Sequence, residues 1–362
     1  MKIVILFILI FKMSIFANIN ETQYQAQKVL SGLGVIWGFD FIDENKMIIN
    51  EKEGNIYLAN FETKKLKKIY YLDVHNKSQG GLLDVKISPN FKTDKTIFFT
   101  YVKSILGNGH TTLAKAIFEN DELQNFQDIL VTKSGTNQNY HFGSRITFDD
   151  KHIYFTLGDR GSRMDAQNLD NHIGSVIRLN IDGSIPKDNP YINDKNALDE
   201  IYSFGHRNAQ GIFYDKTDSN LWLVEHGPRG GDEINLIKAK QNYGWPIVSR
   251  GKEYRSDDSV GVPSKAGIID AKKYYIPSIA PSSMILYRGQ NYSNLNGKLL
   301  VGALKERHIN ILTIDKNSNN PSIIKEDRIL ENLGERIRNI VKSPDDKIYF
   351  STDSGNIYLL KN

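Results

Sequence analysis

The sequence predicts an all-β fold, a six-bladed β-propeller with four-stranded antiparallel blades, and three observations lead there. After residue 17 the chain alternates short β-branched and aromatic runs with turns of Asp, Asn, Gly and Lys, and it shows almost no helical period. One pattern recurs at 37–59, 84–102, 145–157, 211–224, 283–304 and 340–360: an apolar run, an acidic or Asn-bearing turn, then a second run rich in Ile, Tyr, Phe or Leu. Copies start roughly 50 to 70 residues apart, which suits four-stranded blades with long connections better than a sandwich, whose strands follow every ~8 to 12 residues. Closing the blades into a ring buries their faces, removes exposed sheet edges and brings the loops of one side to the axis. Residues 18–362 therefore read as one domain. Within it, 241–273 reads as a long excursion between blades four and five, and 76–81 and 105–111 read as loops over a face.

Composition narrows the class. Hydrophobic residues at 40% with 24% charged are ordinary for a globular chain. A net charge of +4 with no Lys/Arg block gives no case for a nucleic-acid partner. The absence of cysteine excludes disulfides, thiolate nucleophiles and Cys-ligated zinc. Residues 1–17 combine a basic start at Lys2, an apolar run and a small residue at Ala17, the pattern of an export signal, with Ile15 where a second small residue is preferred. The expectation is a periplasmic protein without stable membrane association once that segment is removed.

The polar chemistry is concentrated in 200–246. GHRNAQG at 205–211 stands just before a strand-like run, and EHGPRGGDE at 225–233 follows another and is too rich in Gly to be helical. Carbonyls in such a loop are free to turn toward a hard cation, with Asp232 or Glu233 supplying charge. NYHFG at 139–143 precedes the first strand of blade three and GDRG at 158–161 follows its second, so a hairpin brings His141 and Asp159 to one rim. A carboxylate beside an imidazole fixes its tautomer and raises its basicity, as a general base requires; the pattern alone equally fits a surface histidine capped by an acid. Gln79 opens blade two in the same relative position, and GALKERH at 302–308 lies in blade five. Arg336 and Arg338, two apart in a strand, share a face and can clamp an anion, or form a solvated basic face. No serine nucleophile elbow, HExxH helix, P-loop or strand-borne GxGxxG is present. Cations, amides, one candidate base and a carbonyl-rich loop together suit an anionic cofactor.

These residues resemble the soluble pyrroloquinoline quinone (PQQ)-dependent sugar dehydrogenases, in particular the aldose sugar, or glucose/sorbosone, dehydrogenase branch. The resemblance runs through GGLLDV at 80–85, HFGSRITFD at 141–149, TLGDRG at 156–161, AQN at 166–168, RLNIDGSIPKDNP at 178–190, GHRNAQG, EHGPRGGDEIN at 225–235, NYGWP at 242–246, PSIAPSS at 277–283 and ERIRN at 335–339. It implies a six-bladed propeller that oxidises aldose sugars at C1 to lactones and passes electrons to a further acceptor. By position it implies His141 as general base oriented by Asp159, with Arg207 stabilising charge on the quinone oxygen. It further implies Gln79, Asn208, Lys305, Arg336 and Arg338 as PQQ ligands. The carbonyls of Gly227 and Pro228 match ligands of a calcium ion bridging to PQQ, and Glu233 with the Tyr243 carbonyl match a second, structural calcium. Tyr274, Tyr275 and Ile276 stand where the family commonly places Trp, and Ser144 stands where it has a second Gly. A monomer or homodimer is expected. A non-catalytic binding propeller and a calcium-dependent lactonase are the competing readings. A binding module needs no base, and a lactonase needs carboxylates around its metal where this chain offers mainly cations.

Overall fold

A computed structural model describes residues 23–315 and 320–362; the export signal expected at 1–17 lies outside them. Six four-stranded antiparallel sheets follow in chain order. Their innermost strands are Ile36–Phe41, Leu82–Ile87, Ile146–Phe148, Ala209–Asp215, Pro281–Leu286 and Ile337–Lys342. Each packs against the innermost strand of the next blade, and the ring closes between the last and the first. The sixth sheet is completed by the N-terminal strand Gln25–Leu30, which pairs with Ile357–Lys361 in the register Gln25↔Lys361. That pairing ties the two ends of the described chain into one blade and leaves no open seam.

The core lies between blades rather than within one layer, because each sheet has two apolar faces to bury. Val85 and Phe99 of blade two pack on Ile48 and Leu58 of blade one, and Ile212 and Leu223 of blade four on Tyr154 and Val176 of blade three. Ile340 and Phe350 of blade six meet Leu300 and Ile311 of blade five, while Val341 and Ile357 close against Phe39 and Ile49 of blade one.

Two segments differ from the sequence reading. Residues 241–272 are an excursion inside blade four, not between blades four and five, because Lys273–Tyr275 pairs with 232–234 as the fourth strand of that blade. Residues 105–111 are not a free loop: Thr96–Ile105 and Asn108–Glu119 form one long hairpin whose ladder continues to the pair Ile105↔Asn108.

One buried ion pair occupies the axis. The Arg145 guanidinium lies 2.8 Å from Asp84, whose other oxygen accepts the Ile146 N–H at 2.8 Å. Its remaining N–H groups reach the carbonyls of Gln210 at 3.0 Å, Trp37 and Arg338 at 3.4 Å and Ser282 at 3.5 Å. This side chain from blade three therefore touches all the other five blades. Burial pulls the guanidinium below its usual pKa, and Asp84 opposes the shift. The pair separates two axial cavities. One of about 490 Å³ is lined by the C-terminal halves of the innermost strands, and one of about 280 Å³ is lined by their N-terminal ends and the loops preceding them.

Candidate active site

The smaller cavity holds the chemistry. Its wall draws on every blade: Trp37 and Lys52, Gln79 and Leu83, Phe142, Asn208 and His226, Leu304, and Arg336 with Arg338 and Asp353. The larger cavity at the far end is mainly apolar and its lining contains no histidine, so it offers no imidazole base.

His141 and Asp159 meet as the hairpin topology demands, Nδ1 to Oδ1 at 2.7 Å. The backbone N–H of His141 donates to Gln79 Oε1 at 2.9 Å, which ties the histidine to a residue of the cavity wall. His141 adopts φ = 57°, a left-handed conformation costly for a side chain of this size and held here by its surroundings. Gly158 is part of that hold, since a Cβ there would lie 2.2 Å from the His141 carbonyl oxygen. Arg160 is another. Its buried guanidinium lies 3.4 Å from the Phe142 ring centre and donates to the carbonyls of Tyr140 and Gln138, in the loop that carries His141. Burial pushes Arg160 down to about 9.

Asp159 is fixed on every side. Gly161 N–H donates to Oδ1 at 2.8 Å, Trp245 Nε1–H donates to Oδ2 at 2.7 Å, and its own N–H donates to the Arg207 carbonyl at 2.7 Å. Burial alone would raise this carboxyl; the His141 bond, the Arg207 charge and the Gly161 N–H hold it below the usual range. For His141, burial lowers the pKa most; the Asp159 bond opposes this and the Arg207 charge adds to it, with a net fall. The result is a neutral imidazole with Nδ1–H pinned by a carboxylate. Its Nε2 has no hydrogen-bond partner among the described residues, which is the arrangement of a proton acceptor.

Arg207 stacks over Trp245, 5.2 Å from the ring centre. It donates to the carbonyls of Gly227 at 2.7 Å and His226 at 3.2 Å, while its Nε is buried without a partner. Asn208 lines the cavity and accepts from Gly143 N–H at 3.3 Å and Gln210 Nε2 at 3.2 Å. Arg336 and Arg338 do converge, and what they clamp within the chain is Asp353, at 2.8 and 2.7 Å. Lys305 is not brought in: its side chain is 56% exposed beside Glu306, and its Nζ donates to the Ser278 carbonyl.

The residues matched to calcium divide into two cases. The Gly227 carbonyl accepts from Arg207 and the Pro228 carbonyl from Tyr254 Oη at 3.2 Å. With a guanidinium on it, that loop as arranged does not fit a second cation. Glu233 and Glu225 face each other across paired strands, bridged by Asn235 Nδ2 at 3.1 and 3.0 Å. They line a chamber of about 10 Å³ together with Tyr243, the size of one small ion or water. Burial, then the Glu225 charge, drives the Glu233 pKa well above the usual range, against the Arg250 charge; a carboxylate repelled by the one facing it suits a cation between them. Among the described residues no group of three or more His, Asp or Glu is arranged around a metal position.

Sequence reasoning missed four participants. Trp245 was visible only as part of NYGWP, and nothing in the sequence ties it to Asp159, 86 residues away. Asp353 and Lys52 sit in turns that carry none of the motifs singled out in the sequence. His226 lines the cavity, its Nε2 bonded to the Pro281 carbonyl at 2.5 Å, and burial followed by the Arg207 charge pushes it down to about 3.

The chain matches the profile of the family described as glucose/sorbosone dehydrogenase over residues 33–361. It belongs to the glucose/sorbosone dehydrogenase family. Among relatives of this glucose/sorbosone dehydrogenase family member, the aldose sugar dehydrogenase YliI of Escherichia coli is 35% identical, covering 80% of this chain and 78% of that one. Quinoprotein glucose dehydrogenase B of Acinetobacter calcoaceticus is 27% identical over 94% of this chain and 88% of its own. The crystal structure of the soluble aldose sugar dehydrogenase of Escherichia coli in the apo-form superposes with a TM-score of 0.88 at 31% identity, covering 93% of this chain and 99% of that one. Among the described residues no helix is long and apolar enough to cross a membrane.

Proposed function

We propose that the protein is a periplasmic quinoprotein that oxidises aldose sugars at C1 to the lactone, using PQQ in the 280 Å³ cavity. The observation that carries this reading is a pinned neutral base, His141 on Asp159 on Trp245, at the rim of a cavity walled by three cations, three amides and apolar planes. Such a wall suits a flat tricarboxylate: Arg336 and Arg338 for carboxylate, the amides of Gln79 and Asn208 for carbonyl groups, Trp37 and Phe142 for the ring edges. When bound, PQQ supplies the two-electron acceptor that takes the hydride from the sugar's C1.

The chain's own part is proton transfer and positioning. His141 Nε2 takes the proton of the anomeric hydroxyl as the C1–O bond becomes a carbonyl, and the imidazolium so formed is stabilised by the Asp159 carboxylate 2.7 Å away. Trp245 and Gly161 keep that carboxylate from rotating away. Arg207, set on the Trp245 ring and bonded to the carbonyl of His226, a residue of the cavity wall, supplies positive charge next to that wall, which would stabilise an oxyanion. Calcium belongs to this reading at the Glu225–Glu233 chamber, as a structural ion. The sugar, an electron acceptor and a monomeric or homodimeric state complete it.

The test is a dye-linked oxidation assay on protein stripped with chelator and then given PQQ and Ca²⁺, singly and together, over a panel of aldoses. Activity that requires PQQ and disappears in His141→Ala supports the mechanism. If calorimetry detects no PQQ binding and no sugar is oxidised, the dehydrogenase reading fails and a binding propeller takes its place.

A further inference from the structure

We propose that Lys52, a turn residue of blade one, is a cofactor-binding cation that takes a second carboxylate of the bound quinone beside the Arg336–Arg338 pair of the neighbouring blade six; this rests on the function proposed above. Lys52 follows the strand Lys46–Glu51 and is held from both sides by backbone bonds, its N–H to the Val35 carbonyl and its carbonyl to the Leu82 N–H, each at 2.9 Å. Those bonds lock the turn of blade one to the innermost strand of blade two at the mouth of the cavity. The stem is guided by a missing side chain. A Cβ on Gly81 would lie 2.3 Å from the Lys52 carbonyl oxygen and 2.8 Å from its Cγ, and Gly81 itself adopts φ = 137°. The GG of GGLLDV thus makes room for the lysine to lie along the wall.

The charges point to an anion. The cavity lining contains Lys52, Arg336 and Arg338 but a single carboxylate, Asp353, and that carboxylate is taken by both arginines. Lys52 Nζ is held by the Asn76 amide oxygen at 2.5 Å and makes no ion pair among the described residues. Burial depresses its pKa most, Glu53 opposes this, and the Arg338 charge lowers it further. A lysine in that state gains when a carboxylate arrives beside it, because the ligand relieves both the desolvation and the repulsion. Lys305, the lysine expected by position, is turned to Glu306 outside the cavity.

The experiment is calorimetric titration of PQQ into the full-length mature protein and into Lys52→Met, Lys52→Arg and Lys305→Met, at two salt concentrations, with circular dichroism and melting curves confirming the fold. Losing one charge-assisted contact weakens binding by about tenfold to a hundredfold in Lys52→Met and flattens its salt dependence, while Lys52→Arg restores most of the affinity. If Lys52→Met proves unfolded, Lys52→Gln serves the same comparison. A wild type that binds PQQ with unchanged affinity in folded Lys52→Met or Lys52→Gln overturns the Lys52 assignment and leaves the function standing, as does a loss that falls on Lys305→Met instead. A wild type that does not bind PQQ overturns the function, and the assignment with it.

Discussion

Asp159→Asn is the most informative single change, because the structure says what an amide can and cannot do there. Three donors converge on this side chain: His141 Nδ1 and Gly161 N on Oδ1, and Trp245 Nε1 on Oδ2. A carboxylate accepts all three; an amide has one oxygen. If that oxygen faces Trp245, the amide nitrogen points its hydrogens at His141, and the imidazole moves its proton to Nε2 and ceases to be a base. If it faces His141, an N–H is set against the indole N–H in a buried space. Either way a bond to an ionised partner is lost, roughly 1.5–3 kcal/mol, and in the first arrangement the tautomer that makes Nε2 an acceptor is lost with it. General-base catalysis is worth about 10²–10⁴, so the rate of cofactor reduction by sugar, followed by stopped-flow absorbance on PQQ-loaded protein, falls by that factor, about 3–5 kcal/mol in the barrier. PQQ affinity is unchanged, since Asp159 does not line the cofactor cavity. Reduction within about threefold of wild type would refute the tautomer argument. The pH profile gives a second check. The competent base is neutral, so activity is present above the His141 pKa and lost as pH falls through it, and that limb lies below the ordinary imidazole range. Removing the Asp159 charge withdraws what holds the pKa up, so the residual activity of Asp159→Asn persists to lower pH than in wild type.

Trp245→Phe keeps the ring under Arg207 and removes the donor to Asp159 Oδ2. Turnover falls about tenfold and the melting temperature drops with a cost of about 1–3 kcal/mol for the unpaired buried oxygen, and steady-state kinetics with thermal unfolding measure both. Asp84→Ala strands the Arg145 charge at the axis, costing about 3–5 kcal/mol; calorimetric melting falls by roughly 5 to 10 °C. Adding Arg145→Met recovers part of that loss, and a double mutant whose destabilisation equals the sum of the singles would show that the pair is not coupled.

The blade count was legible because each blade opens with two strongly apolar strands around a polar turn, and that repeat survives in a linear reading. Two features were not. The strand Lys273–Tyr275 is three residues long, too short for a period, so the excursion before it was assigned past the end of blade four. The closing strand Gln25–Leu30 finds its partner at the other end of the chain, and no local pattern encodes that. The same division holds in the site. His141 and Asp159 could be paired from sequence because one hairpin joins them. Arg336 and Arg338 were read as able to clamp an anion or as a solvated face; the internal Asp353 they hold was hidden in a turn. Arg145 read as the start of a strand, since only ring closure turns its carbonyl neighbours inward.

The excursion of blade four holds an ordinary histidine–carboxylate contact in the geometry that the proposed base requires. Surface His–Asp pairs are common and carry no function, because the carboxylate is free to turn to water. Here residues 241–272 fold back over blade three and remove that freedom. Gln167 and Asn242 exchange side-chain bonds at 2.7 and 3.1 Å, Gln167 also reaches the Trp245 carbonyl at 2.7 Å, and Arg163 pairs with Glu253. Seated by these contacts, Trp245 fills the second oxygen of Asp159 on one side and supports Arg207 on the other. One indole therefore fixes both the group proposed to take the proton and the group proposed to stabilise charge, so the two stay in register with each other although they come from different blades. A propeller lacking that excursion would keep the His141–Asp159 hairpin and the arginine-walled cavity, but the carboxylate would be free to leave its histidine, and binding would survive where oxidation would not.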